Sequence, residues 1–288
     1  MPELPEVETV RRGLHELIIG RTVVASKSDN PKSFPNASGQ VESFLLGATI
    51  TGIRRRAKVL MIDLSTNYTL VIHLKMTGQL VYRGKRAFGA GHPTDSLVGE
   101  LPDKSTRVTL TFTDKSKLFF NDQRKFGWMK LIPTDEVWAL PFMQKVGPEP
   151  LEDDFTPLQF AERFTRRART SIKAALLDQT VIAGVGNIYA DESLWGAKLH
   201  PQRQVNTIMP AEFGALYTEL RLVMNRAIDK GGSTDRNYVN VEGKRGSYMD
   251  FARVFRREGM ECTRCGTTII KFKATGRGTH ICPHCQQP

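Results

Sequence analysis

A chain of 288 residues has room for two domains of ordinary size, and its 40% apolar, 25% charged composition is that of a globular protein. Lys and Arg outnumber Asp and Glu by 41 to 30, giving a net charge of +11 that attracts a polyanion and brings nucleic acid forward as a partner, with acidic surfaces in general as the blander reading. No stretch is long or apolar enough to span a bilayer, and Glu3, Glu6 and Glu8 precede any apolar run. A soluble intracellular protein without a secretory leader is therefore expected.

Along the chain, Glu6 to Ile18 reads as an amphipathic helix, with Val7, Val10, Leu14 and Leu17 at three- and four-residue steps. Pro5 suits its first turn, and Glu6 and Glu8 complement its N-terminal dipole. From about 22 to 133 the pattern is β: Val59–Leu64, Leu70–Leu74, Val108–Phe112 and Lys117–Phe120 are short apolar runs between Gly, Asn and Asp turn signals, as in a sandwich or barrel. Residues 84–104 read as a long surface loop, and 134–153, with Pro133, Pro141, Pro148 and Pro150, as a linker. Helical patterns follow at 156–167, 171–179, 189–196 and 211–230, the last ended by Gly231-Gly232. The polar stretch 233–250 reads as a loop, and 252–288 as a compact basic module.

All four cysteines fall in that module, as Cys262-x2-Cys265-x16-Cys282-x2-Cys285. Two C-x2-C knuckles supply four thiolates to one tetrahedral Zn²⁺, which with every position filled is structural. His280 and His284 leave a mixed site open, and two thiol pairs are the bland alternative; the symmetric four-cysteine set is simpler. Residues 252–277 hold seven basic side chains against two acidic ones, so a zinc-stapled hairpin here suits phosphate contact. At the other end, removal of Met1 exposes a secondary amine at Pro2. An α-amino group titrates near neutrality, so much of it is nucleophilic, and Glu3 beside it can transfer a proton. Read without relatives, the blander reading, that Pro2 and Pro5 merely start a helix, is the stronger one. The run Gly184-Val-Gly186-Asn187-Ile-Tyr189 fails the dinucleotide template because Tyr189 stands where Gly or Ala is needed and no strand precedes it. Two helices about a glycine turn, with backbone N–H groups and Asn187 aimed at a phosphate, fit better.

PELPEVETVRRGL at residues 2–14, GVGNIYADESLW at 184–195 and GRGTHICPHCQ at 276–286 together resemble formamidopyrimidine-DNA glycosylases, in order and over nearly the whole chain. The resemblance implies an α+β multidomain protein. Residues 1–133 would form an N-terminal β-sandwich with the catalytic helix, and 134–153 a linker. Residues 154–251 would form a helix–two-turns–helix domain with a lesion-capping loop, and 252–288 a zinc finger. It implies Pro2 as nucleophile, Glu3 as acid/base partner, Glu6 as a further N-terminal glutamate, and Lys58 as a strand-turn lysine, with Ala57 where many members have glycine. Lys173 corresponds to a lysine near the phosphates, and Arg277, counted with Pro2, Glu3 and Lys58 in the implied catalytic set, to a zinc-finger residue held in place by the metal. Met76 and Phe126 would wedge into the stack vacated by a flipped nucleotide, while Arg124 addresses the orphaned cytosine. Read alone, Met76 would be core and Arg124-Lys125 a solvated pair. The 103–107 segment lacks the histidine pair common in relatives.

The activity so implied is base-excision repair: removal of 8-oxoguanine and formamidopyrimidines from double-stranded DNA through an N-terminal proline Schiff base, then strand cutting by β,δ-elimination. The enzyme would be a monomer, cytoplasmic and associated with a bacterial nucleoid, with one structural Zn²⁺ and no redox cofactor. DNA would lie in a basic cleft between the halves. The rivals are an endonuclease VIII-like enzyme for oxidised pyrimidines, a catalytically silent zinc-finger DNA-binding protein, and a zinc-binding RNA module. The last leaves Met76, Arg124 and Phe126 without a role, and PEL rather than PEG at the start favours the purine enzyme.

Overall fold

The apolar period at the chain start is folded as α1 (Leu4–Ile18), which begins before Glu6 because its first turn is satisfied from within: the Glu6 carboxylate accepts the Glu3 N–H at 2.8 Å, and Pro5 lies in the opening turn. Val7, Val10, Leu14, Leu17 and Ile18 of this helix enter the main core. The computed structural model describes residues 1–232 and 248–288, and divides into one unit built on Met1–Gln144 and another on Lys145–Asp229 with Tyr248–Pro288. The expected capping loop lies mostly outside the described residues.

In the first unit α1 is followed by β1 (Val23–Ser28), α2 (Ser38–Phe44), β2 (Ile50–Arg56), β3 (Val59–Leu64), β4 (Tyr68–His73), β5 (Gly78–Arg83), β6 (Ala87–Gly91), β7 (Thr106–Phe112), β8 (Lys117–Asp122) and β9 (Trp128–Pro133). These make two antiparallel sheets, ordered β1-β7-β8-β5-β6 and β2-β3-β4-β9. Alternate residues of both, among them Leu60, Ile62 and Leu64 on one and Leu110, Phe112 and Phe120 on the other, meet in a shared core closed by α1. The opposite faces are covered too. Val59, Met61 and Val71 pack under Val137 and Met143, and Val81 and Phe119 pack under Leu97. Burial on both faces explains why Val59–Leu64 is an almost unbroken apolar run rather than an alternating one.

Residues 84–104 correct the expectation of a surface loop. Ala87–Gly91 is a strand paired with β5 from Arg83↔Ala87 to Gln79↔Gly91, and Phe88 and Leu97 are only 1% and 3% exposed. The segment reads as a loop because Ala-Phe-Gly-Ala-Gly has little β propensity. Its glycines serve close approach instead: Gly91 sits at φ 125°, and a Cβ there would lie 2.5 Å from the Gly78 carbonyl oxygen. The 134–153 stretch is also partly ordered, as a 3-10 turn at Thr134–Ala139 and α3 (Pro141–Lys145).

The second unit contains α4 (Pro157–Phe164), α5 (Ile172–Leu177), α6 (Asn187–Gly196) and α7 (Pro210–Asp229), then β10 (Ile270–Ala274) and β11 (Arg277–Ile281) as a hairpin. The cysteine-bearing segment packs on α6 through a cluster of Trp195, Val254, Cys262, Ile269 and Cys282, so helices and finger belong to one unit. Among the described residues no helix is long and apolar enough to cross a membrane.

Gly13, within α1, tests how tightly the helix is seated, since a Cβ there would lie 2.2 Å from the Phe88 ring. An exposed helical Gly→Ala change stabilises by roughly 1 kcal/mol. Here G13A is expected to destabilise by about 1–3 kcal/mol through overpacking. Denaturant unfolding checks the sign; a stabilised G13A protein would mean that α1 does not press on β6.

Candidate functional site

The N-terminal residues expected to carry chemistry are held rather than frayed. Pro2 is buried, Glu3 and Glu6 are each 3% exposed, and Met1 is 44% exposed. Glu3 is the N-cap of α1, bonded through its N–H to Glu6 as described. Lys58 lies in the two-residue turn between β2 and β3, preceded by Ala57 at φ 52°, the left-handed region where glycine is favoured. It is 7% exposed. Across the β3–β4 ladder, Val59 pairs with His73. Burial, then Lys75 and Lys58, push the His73 imidazole down to about 3, so the ring is neutral at ordinary pH. Its Nδ1 accepts the Lys75 N–H at 3.0 Å, which leaves the proton on Nε2 as a donor.

Met76, Arg124 and Phe126 come together at one end of the five-stranded sheet. β5 starts and β8 ends at the paired residues Gly78 and Asp122, which sets the 74–77 and 123–127 loops side by side. Arg124 lies 4.8 Å over the Phe126 ring, with Nη1 3.1 Å from the Met76 sulfur. Met76 is 41% exposed and Phe126 52%, so neither is core. Asp122, fully buried, organises both loops: it accepts from the Thr77 hydroxyl, the Arg124 N–H and, at 2.6 Å, the Gly127 N–H. Sequence reasoning missed Asp122, which stands two residues before Arg124 and reads as an ordinary turn aspartate.

In the second unit, Arg277 is exposed at the tip of the β10–β11 hairpin, whose turn residues Thr275 and Gly276 both have positive φ (50° and 73°). The next residue is clamped: the Gly278 carbonyl accepts Asn187 Nδ2 at 2.9 Å and Lys173 Nζ at 3.3 Å. Lys173 departs from the expectation of a phosphate-facing lysine. Its side chain is 0% exposed, and its ammonium lies 2.6 Å from Asp191 Oδ1 and 2.8 Å from the Thr279 hydroxyl. A cation with no access to solvent cannot meet a phosphate as placed; it secures the hairpin that carries Arg277. Asn187 likewise spends one amide hydrogen on the hairpin.

Asp191 and Glu192 were not singled out in the sequence, yet both carboxylates build the unit. Asp191 Oδ2 accepts the His280 N–H at 3.0 Å and lies 3.0 Å from its Nδ1. Glu192 accepts the N–H groups of Arg253, Val254 and Phe255 at 2.8–3.0 Å and the Tyr248 hydroxyl at 3.1 Å. Burial pushes the Glu192 carboxyl up, against these donors, which favour the charge. The available signal was the absence of any polar face over Tyr189–Trp195, all of it buried, which obliges charges there to be paired.

The four cysteine sulfurs lie within 4.8 Å of one another, with Cys265 3.5 Å from both Cys282 and Cys285 and Cys262 4.0 Å from Cys285. Four thiolates about 2.3 Å from a tetrahedral zinc are roughly 3.8 Å apart, so the set fits one Zn²⁺. The cluster involves neither His280, which is engaged with Asp191, nor His284.

Comparison with known proteins matches residues 1–129 to the formamidopyrimidine-DNA glycosylase N-terminal domain, 146–238 to the H2TH domain of the same enzymes, and 259–288 to the zinc finger found in FPG and IleRS. The formamidopyrimidine-DNA glycosylase of Enterococcus faecalis is 39% identical over 288 residues, covering 100% of this chain and 98% of its own. A Lactococcus lactis FPG mutant in complex with Fapy-dG-containing DNA superposes with a TM-score of 0.87 at 36% identity, covering both chains fully. The Lactococcus lactis Fpg complex with abasic-site DNA gives 0.87 at 37% identity over 99% of this chain and 100% of that one.

Elemental analysis is expected to find about one zinc per chain, and C282S, at a fully buried ligand, to lose both the metal and the cooperative melting of the second unit. A metal-free C282S protein that melts like the parent would mean that the metal does not hold the finger.

Proposed function

Because the chain belongs to the formamidopyrimidine-DNA glycosylase family, we propose that it excises oxidised purines from double-stranded DNA and cuts the abasic strand, with Pro2 as the nucleophile. The observation that carries this reading is Pro2 and Glu3 held at the buried, capped start of α1, within a chain matched from end to end.

With Met1 removed, the Pro2 nitrogen attacks the anomeric carbon. A carbon–nitrogen bond forms, and the damaged base leaves with the glycosidic electron pair and a proton. Glu3 protonates the sugar ring oxygen as its bond to the same carbon breaks, and the nitrogen lone pair completes an iminium. That cation acidifies the neighbouring C2′ hydrogen, whose loss expels the 3′ phosphate; a second elimination expels the 5′ phosphate. Glu6 holds Glu3 by its backbone, and Lys58, a buried cation on its turn, serves the sugar-phosphate of the flipped nucleotide. Met76 and Phe126 fill the space the nucleotide leaves, and Arg124, stacked on Phe126, presents its remaining N–H groups to the opposite cytosine. On the second unit, Arg277 contacts phosphate from a hairpin that Lys173 and Asn187 steady, and the cysteine-bound zinc keeps that hairpin folded. Residues 1–133 thus supply the chemistry, 154–251 and 252–288 the grip on the backbone. An enzyme acting on chromosomal DNA in this way would work in the cytoplasm, at the nucleoid.

Two variants test this. E3Q is expected to lower single-turnover release of 8-oxoguanine opposite cytosine by about 10²–10⁴-fold while leaving duplex binding intact. F126A is expected to slow that release more than it slows cleavage of a preformed abasic site, which has no base to unstack. If thymine glycol is released faster than 8-oxoguanine, the substrate assignment is wrong; equal losses for F126A on both substrates would remove the wedge.

A further inference from the structure

We propose that Glu8 and Arg55 are positioning residues that lock the turn bearing Lys58 to the helix bearing Pro2 and Glu3; the inference rests on the reading of those three residues given above. Glu8 is 8% exposed and five residues beyond Glu3 on the chain. Its carboxylate receives Arg11 Nη2 at 2.8 Å, Arg12 Nε at 2.9 Å and Arg55 Nε at 3.2 Å. Arg11 and Arg12 stand three and four residues on along the same helix, so by themselves they satisfy Glu8 locally. Burial pushes the Glu8 pKa up, and Arg11, Arg12 and, last, Arg55 more than offset it and hold the carboxyl low. Arg55 is different in kind. It comes from β2, its side chain is only 10% exposed, and a third partner for an already neutralised carboxylate adds little stability for the desolvation it costs.

What Arg55 adds is reach. Its other arm, Nη1, donates to the Ala57 carbonyl oxygen at 3.0 Å. That oxygen belongs to the peptide unit whose nitrogen is Lys58, and the unit is planar, so fixing the oxygen fixes the plane from which the Lys58 side chain departs. The turn needs the restraint, because Ala57 holds a left-handed φ of 52° that an L-residue readily abandons. One rigid guanidinium fork thus spans from α1 to the Lys58 peptide. A lysine at 55 could pair with Glu8 but lacks the planar fork to serve both partners at once.

The experiment measures R55K, K58A and the double variant for single-turnover excision rate, burst amplitude, lesion-duplex Kd and melting temperature. R55K is expected to lower the rate constant at least about tenfold, since sub-ångström misplacement is costly at a reacting centre, with burst amplitude, Kd and melting near those of the parent. Added to K58A, R55K should cost nothing more, because its effect passes through Lys58. R55A with methylguanidinium in solution should recover part of the lost rate. An unchanged R55K rate overturns the proposal, as do additive losses with K58A. A lowered burst amplitude and melting temperature at an unchanged rate constant also overturns it, by making Arg55 merely structural. Failure of the underlying reading would show separately, as a parent protein that forms no borohydride adduct on Pro2.

Discussion

Chain ends fray unless something ties them down, and the first unit depends on the bond that ties this one: the Glu3 N–H donated to the Glu6 carboxylate at the start of a helix whose apolar face closes the sandwich core. That single reciprocal arrangement does two things. It satisfies donors that a buried helix start cannot leave open, and it fixes the residue preceding the helix in a buried position. A terminal amine is attractive as a nucleophile because it is a free base near neutral pH, but a mobile terminus would lose the advantage to entropy. Seating α1 between two sheets, close enough to Phe88 that only glycine fits at position 13, turns a chain end into a rigid element.

The second unit solves a similar problem with charge. A hairpin with an exposed arginine at its tip has little core of its own, so its position comes from Lys173, Asp191 and Asn187 on one side and four cysteine sulfurs on the other. The fully buried Lys173–Asp191 pair is weak evidence for stability, since well-packed apolar side chains can do as well. It is better understood as a positional device: further bonds to Gly278, Thr279 and His280 all run from this pair into β11. Glu192 does the same for the segment that leads into the finger.

What could be read from residues alone follows a physical line. α1 and the long helices announce themselves by period, β3, β4, β7 and β8 as short apolar runs between turn signals, and the cysteines by spacing, because those signals are local. β6 was hidden, since a strand of Ala and Gly is specified by what its neighbours leave room for rather than by its own propensity. The convergence of Met76 with Arg124 and Phe126 follows from the β5–β8 register, a pairing no local pattern reveals; only the family resemblance grouped them. Lys173 was placed near the phosphates by the resemblance alone, and its partner Asp191 lies a helix away in sequence, so no local pattern reveals the buried pair. Asp122, Asp191 and Glu192 were passed over for the same reason: a carboxylate's importance here comes from the donors folded around it.

The central claim is that the nitrogen of Pro2, not of Lys58, bonds to the sugar. Borohydride trapping on a duplex containing 8-oxoguanine, followed by proteolysis and mass mapping of the adduct, decides it. The account predicts one adduct, on the peptide that begins at Pro2, and none when Met1 is retained and the nitrogen is an amide. An adduct on Lys58, or full trapping with Met1 in place, would contradict it.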